Sequence, residues 1–455
     1  MKKIIFLGLF LALIGGGVFY YNNYYFNAQS ILDNSIFKEK KFSVEVKEVV
    51  SSDNKIKAYL LEDKSVPLVA INLGFKKMGN AYLKKNGVGL VAEGVFLDGA
   101  GNLDRKKLRK FMKEKGIKIG FDVGRDEAGI SLSYVKDFEN DAWNVLKDVI
   151  YKPHLKTEDI NLIKEQIVVQ RKSYEENPES KLNKLISKEF FKSHPYGKET
   201  YPSDEELLNI TDKDIRNYLK SYMAKDVISV GVAGSIDEAK VKEFLDEVLV
   251  NLEEKTIAEE LPKFSPIYNN EVKVVNDEHS KQSFVLHISQ GIKRLDKDFY
   301  PFYVADFIFG GSGLNSILNK EMREKEGLTY GIYSYLSQSD GLETWNVFYS
   351  ATPTNMEKIE KKLNEEYQKF YENKISKDDL ELAKSSLMSS FNLRFASLFN
   401  IAGQLQVMMA ENLGRDFLEK RQDMIKDIKL EDVNRVISQK MSGKNRAIFV
   451  VNGKN

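Results

Sequence analysis

From Ile210 the chain reads ITDKDIRNYLKSYMAKDVISVGVAG: polar residues, apolar positions at helical spacing, a basic turn, and an apolar run closing on Gly234. This pattern predicts a capped helix followed by a strand. From Ile428 the chain repeats it as IKLEDVNRVISQKMSGKNRAIFVVNG, with offsets of 218 residues at the isoleucines and 219 at the closing glycines, Gly234 and Gly453. Apolar positions correspond: Ile215 with Val433, Leu219 with Ile437, Val230 with Phe449. A second pair of helices, LKTEDINLIKEQIVVQ from Leu155 and ISKDDLELAKSSLMSS from Ile375, lies at an offset of 220, with Thr157 and Ser376 as expected N-caps. Strand-like runs open each copy: VPLVAINLGF from Val66 and QSFVLHISQG from Gln282. The expected fold is α+β, two duplicated α/β sandwich halves of about 220 residues, over 40–250 and 271–455. Between them residues 251–270, charged and carrying Pro262 and Pro266, form the expected linker.

A different pattern occupies residues 1–26. Lys2 and Lys3 precede an uncharged apolar run from Ile4 to Tyr21, an export signal by its charge pattern. As a helix the run extends roughly 27 Å, short of a bilayer core of about 30 Å, so it serves either as a cleaved signal peptide or as a membrane anchor. In the anchored case the lysines stay cytoplasmic and the remainder lies on the periplasmic or extracytoplasmic face.

Charge and composition narrow the function. With 68 basic and 67 acidic residues the net charge is +1, which gives no electrostatic footprint for nucleic acid. There is no cysteine, so disulfides, thiolate metal sites and cysteine nucleophiles are excluded. GGSG at 310–313 lacks the Gly-Lys-Ser/Thr of a phosphate loop, and Leu314 stands where a nucleophile elbow needs glycine.

The stretch FGGSGLNSILNKEMREKEGLTYGIYS, from Phe309, resembles the second-half signature of the pitrilysin and insulinase family of zinc peptidases, which includes the mitochondrial processing peptidase; HPYG at 194–197 resembles a segment of that family's first half. The resemblance covers nearly everything after about residue 40. It implies two halves closing like a clamshell around a peptide, with Arg323 and Tyr330 matching the family's arginine and tyrosine seven residues apart. A tyrosine hydroxyl suits the oxyanion formed when water attacks a peptide carbonyl, and a forked guanidinium suits neighbouring substrate carbonyls. Gly310, Gly311 and Gly313 are the expected substrate-binding turn, where the backbone approaches the peptide. One departure is Ile317 after Ser316, where members often carry arginine.

The family's zinc motif, H-x-x-E-H, aligns with GLVAEGVFLDGAG from Gly89, where its positions hold Ala92, Val95 and Phe96, so ligands and base are missing. The four histidines, at 154, 194, 279 and 287, include no pair two to four apart; Glu165, near the family's third ligand, and Glu93 and Asp98 are expected to be solvated charges. No metal or cofactor is therefore expected in this chain. The resemblance implies a subunit inactive alone, supplying Arg323 and Tyr330 to a zinc-bearing partner in a heterodimer that hydrolyses peptides. Two alternatives remain open: a non-catalytic peptide-binding or scaffold protein at the membrane, and an autonomous metallopeptidase with other ligands.

Overall fold

A computed structural model describes residues 45–392 and 395–454; the expected signal or anchor segment lies outside them. The N-terminal sheet has six strands: β1 (Lys47–Val50), β2 (Lys57–Glu62), β3 (Leu68–Lys76), β4 (Lys118–Val123), β5 (Glu127–Val135) and β6 (Ile228–Gly234), in the order β1-β2-β6-β3-β5-β4. The C-terminal sheet has five: β7 (Val272–Asp277), β8 (Ser283–Gln290), β9 (Gly331–Ser339), β10 (Leu342–Ala351) and β11 (Ala447–Gly453), in the order β9-β10-β8-β11-β7. Apart from β1 the two orders are the same once one sheet is read in reverse. Polarity matches too: β2 and β6, and β7 and β11, are parallel, and every other adjacent pair is antiparallel.

The helices that matter for the site are α1 (Val88–Val95), α2 (Arg105–Glu114), α3 (Thr157–Glu176), α4 (Pro178–Ile186), α5 (Asp212–Tyr222), α6 (Met356–Asn373), α7 (Lys377–Asn392), α8 (Leu398–Ala410) and α9 (Leu430–Lys440). The repeated pattern forms as expected: α5 leads into β6 and α9 into β11, burying Ile215 and Leu219 in one core and Val433 and Ile437 in the other. Ser376 caps α7 reciprocally, its hydroxyl accepting from Asp379 N while the Asp379 carboxylate accepts from Ser376 N. Thr157 does not cap. It is the first residue of α3, and the extended residue before it, Lys156, makes no side-chain cap bond. Residues 256–270 carry neither helix nor strand, but their path is fixed by packing: Phe264 meets Phe190 edge-on and Phe191 at a tilt, both at ring-centroid distances of 5.4 Å.

Among the described residues, a helix from each half packs on the sheet of the other half. α8 lies across β2, β3 and β6, and its approach is close because two strand positions lack side chains. A Cβ on Gly231 would sit 2.1 Å from Ala402 O, and one on Gly74 would sit 1.9 Å from Gln406 Nε2. Gln406 Nε2 donates to Ser229 Oγ at 2.7 Å, both buried, and Asn72 Nδ2 donates to Phe399 O at 3.2 Å. Reciprocally, α4 packs on β7, β8 and β11, so Leu182, Ile186, Phe190 and Phe191 share a buried cluster with Ile288, Leu342, Phe449 and Val451. Each sheet is covered by a helix that lies, in sequence, between the last two strands of the other sheet. The physical reason is apolar burial: both faces of β3 and β6 are dry, which requires helices on each side.

Candidate functional site

The site is assembled along the outer edge of the C-terminal sheet, on β9. The chain first reaches it through the segment Phe307–Gly311, where Gly310 lies so near the strand that a Cβ would stand 2.5 Å from Ser334 N. Asp306, just before this turn, is buried, and its Oδ1 accepts from Ser334 Oγ at 2.5 Å and Trp345 Nε1 at 2.8 Å. Burial pushes its carboxyl up to about 6, with the two donors opposing the rise. Gly311 faces the same carboxylate; its Cβ would be 3.0 Å from Asp306 Oδ2. Gly313 has φ of +64° with open space around it, a backbone conformation glycine adopts without strain. Gly310 and Gly311 thus have packing reasons to be glycine, and Gly313 a conformational one.

Because the Asp306 pKa is raised above its unfolded value, its favourable contribution is fully present below about pH 4 and is lost as pH rises toward about 6. Asp306→Asn is expected to remove that fall, gaining about 2–3 kcal/mol over the parent chain at pH 7 relative to pH 4. Urea unfolding at the two pH values checks it; a parallel pH dependence in both proteins refutes it.

Beyond the glycines, Ser316 starts a short helix, its Oγ accepting from Asn319 N at 3.3 Å and donating to Gly313 O at 2.7 Å. Asn319 is fully buried. Its Nδ2 donates to Gly313 O at 3.0 Å and to Ile332 O at 2.5 Å, and its Oδ1 accepts from Ile332 N at 3.5 Å. The amide therefore satisfies the backbone of Ile332 as a neighbouring strand would, closing this part of the sheet edge. It also ties together the glycine turn, the helix and β9. Arg323 lies one helical turn after Asn319, and Tyr330 lies two residues before Ile332, so both hang from the same anchor.

Between them the chain reverses through Gly327 at φ +62°, with Leu328 N donating to Met322 O at 2.8 Å over the buried Met322. Thr329 Oγ1 then donates to Ser350 O at 2.6 Å and pins the start of β9 to β10. Arg323 is exposed, Tyr330 is 72% exposed, and neither side chain hydrogen-bonds to another described residue. Tyr333, whose hydroxyl folds back over Gly331, and Tyr335 are exposed beside them on the same strand. A permanently charged fork and a phenol, both unsatisfied and facing solvent, are equipped to bind and polarise a carbonyl-rich ligand.

The zinc-motif positions are used differently. Ala92, Val95 and Phe96 are buried in the N-terminal core, and Phe96 packs on Phe121 with centroids 4.5 Å apart. Glu93 is half-buried; its carboxylate accepts from Val123 N at 3.1 Å, and burial raises its pKa. Asp98, expected to be solvated, is buried; burial raises its pKa against the pull of Arg105, bonded at 2.7 Å, and Arg109, at 3.3 Å. Glu165 is exposed on α3. His154 Nε2 bonds Gly101 O, and His194 accepts from Tyr196 N on Nδ1, leaving Nε2–H to donate to Pro262 O at 2.9 Å. His287 is fully buried, accepting from Arg446 on Nδ1 and donating from Nε2 to Glu360 Oε1 at 2.9 Å, while His279 is exposed. Among the described residues no three His, Cys, Asp or Glu side chains gather as a metal site would need.

HPYG acts as a clamp. Tyr196 O–H donates to Asp340 O at 2.9 Å and Tyr82 O–H donates to Asp340 Oδ2, gripping the turn between β9 and β10 from N-terminal residues. Tyr330 immediately precedes the opposite end of β9. Sequence reasoning missed Asn319 and this clamp; the signal for the first was an amide in an otherwise apolar helical turn.

A family model described as the peptidase M16 inactive domain matches residues 209–387. The uncharacterized zinc protease YmxG of Bacillus subtilis strain 168 is 21% identical over 367 residues, covering 80% of this chain and 86% of that protein. The non-peptidase homolog YmxG of Helicobacter pylori is 22% identical over 386 residues, covering 84% and 88%. The crystal structure of a peptidase M16 inactive domain from Pseudomonas fluorescens superposes with a TM-score of 0.83 at 20% identity, covering 90% of this chain and 98% of that one. That likeness establishes the fold.

Proposed function

From a chain that belongs to the M16, pitrilysin-like peptidase family and lacks its zinc motif, we propose a zinc-free subunit of an exported metallopeptidase. Arg323 and Tyr330 complete the peptide-binding chamber of a zinc-bearing partner, and the tyrosine hydroxyl stabilises the oxyanion as the partner's metal-bound water attacks. The two α/β units, matched strand for strand, derive in this reading from a duplication. The observation that carries it is one pairing: Arg323 and Tyr330 follow from a buried anchor yet their side chains bond no other described residue, while the metal-ligand positions are dry and apolar. The covering of the sheet faces by α8 and α4 supports placing the chamber between two chains.

A membrane-associated peptide-binding scaffold without chemistry is the second reading, favoured by the exposed Tyr333 and Tyr335. Elemental mass spectrometry on the purified chain, followed by mixing with a zinc-bearing family member from the same organism and a peptide library, separates the readings. The expected result is no stoichiometric zinc in this chain and hydrolysis only in the mixture. Near one zinc per chain, with hydrolysis by the chain alone, overturns the proposal; peptide binding with no hydrolysis in any mixture moves it to the scaffold.

A further inference from the structure

The charge balance of the whole chain conceals one strongly polarised element. Residues 101–120 hold eight Lys or Arg against two acidic residues, in a chain whose net charge is +1. Most of them lie on α2, which buries Leu108 and Met112 and turns Lys106, Lys107, Arg109, Lys110 and Lys113 outward. Nearby acids are partly spent: Asp98 holds Arg105 and Arg109, Asp159 holds Arg105, Asp104 pairs loosely with Lys107 at 3.8 Å, and Glu114 with Lys110 at 3.7 Å. Lys106, Lys113 and Lys156 form no ion pair among the described residues. Lys156, just before α3, lines the same shallow hollow as Lys106, Lys107 and Lys110.

We infer that α2 is a docking face for the anionic phospholipid headgroups of the membrane that residues 1–26 would enter. The inference rests on the anchored case for residues 1–26 and is independent of the peptidase reading. Two features favour lipid over other anionic partners. The face is a row of flexible cations without aromatic side chains among its exposed residues, suited to diffuse negative charge. In the anchored case residues 22–44 reach at most about 80 Å when fully extended, which keeps α2 within range of the bilayer. Each cation near such a surface strengthens attachment by about fivefold, and one apolar segment plus a basic patch holds an orientation that the segment alone does not.

The test uses the full chain mixed with vesicles of pure phosphatidylcholine, or of phosphatidylcholine with phosphatidylglycerol, and lysine acetylation read by mass spectrometry. Lys106, Lys110, Lys113 and Lys156 are expected to be protected about tenfold on the anionic vesicles at low salt, and to lose protection at high salt. Lys358, exposed on α6, is the control whose labelling stays constant. In the triple variant Lys106→Glu, Lys110→Glu, Lys113→Glu, protection of Lys156 is expected to vanish while the thermal unfolding midpoint stays put. Equal labelling on both vesicle types overturns the inference, as does protection that appears only when an acidic protein or peptide is added. Peptide hydrolysis in the mixed complex plays no part in this readout, so failure of either proposal leaves the other intact.

Discussion

Tyr330→Phe, assembled with the zinc-bearing partner, is expected to lower kcat for peptide hydrolysis by about a hundredfold or more with zinc content and assembly unchanged. The substitution deletes one hydroxyl that is bonded to no described residue, at a position 72% exposed, so folding stability is expected to move by no more than about 0.5 kcal/mol. A donor that meets the substrate only as the oxyanion forms contributes to the transition state and not to ground-state binding, so the effect appears in kcat. Arg323→Ala is expected to act on KM as well, because a guanidinium gripping substrate carbonyls binds before and during the reaction. Size-exclusion chromatography and zinc content of each variant complex accompany the kinetics. Dissociation of the complex by either variant would make the pair an assembly contact, and unchanged kinetics in an intact complex would remove it from the reaction.

Legibility in the sequence followed the range of the interaction that fixes each feature. α5, α9, β6 and β11 were readable because one-sided burial imposes a period on neighbouring residues, and the same burial gives Ile215 and Val433 equivalent places. The missing zinc ligands were readable because coordination demands particular side chains at fixed spacing, and Ala92, Val95 and Phe96 offer none. Thr157 shows the limit of a local rule: its residue type suits an N-cap, but the helix starts one residue earlier. Asn319 and the Tyr82–Tyr196 grip on Asp340 were hidden because their partners are backbone and side-chain atoms brought near only by tertiary packing. The covered sheet faces were hidden for the same reason, since α8 has the composition of any buried helix. Only Gly74 and Gly231, glycines inside strands, marked a close approach from outside the sheet.

That marker yields the second large effect. Gly231→Ala is expected to cost about 3 kcal/mol or more, because its Cβ would lie 2.1 Å from Ala402 O and 2.4 Å from Gln406 N. Both atoms are backbone of α8, so no rotamer change relieves the clash; the helix must lift from β6, weakening the bond from Gln406 to Ser229 and wetting an apolar sheet face. Gly403→Ala, on α8 itself, is the matched control. Its nearest atom is Asn72 Nδ2 at 3.5 Å, ordinary contact, and alanine gains up to about 1 kcal/mol in a helix interior. Chemical unfolding of the two variants is expected to shift in opposite directions. A neutral Gly231→Ala would mean that α8 is not seated on the N-terminal sheet, and the space between the sheets would again be available to a peptide within one chain. A strongly destabilised Gly231→Ala beside a neutral or stabilised Gly403→Ala closes that space. That outcome agrees with the proposal that Arg323 and Tyr330 work against a surface brought by a second chain.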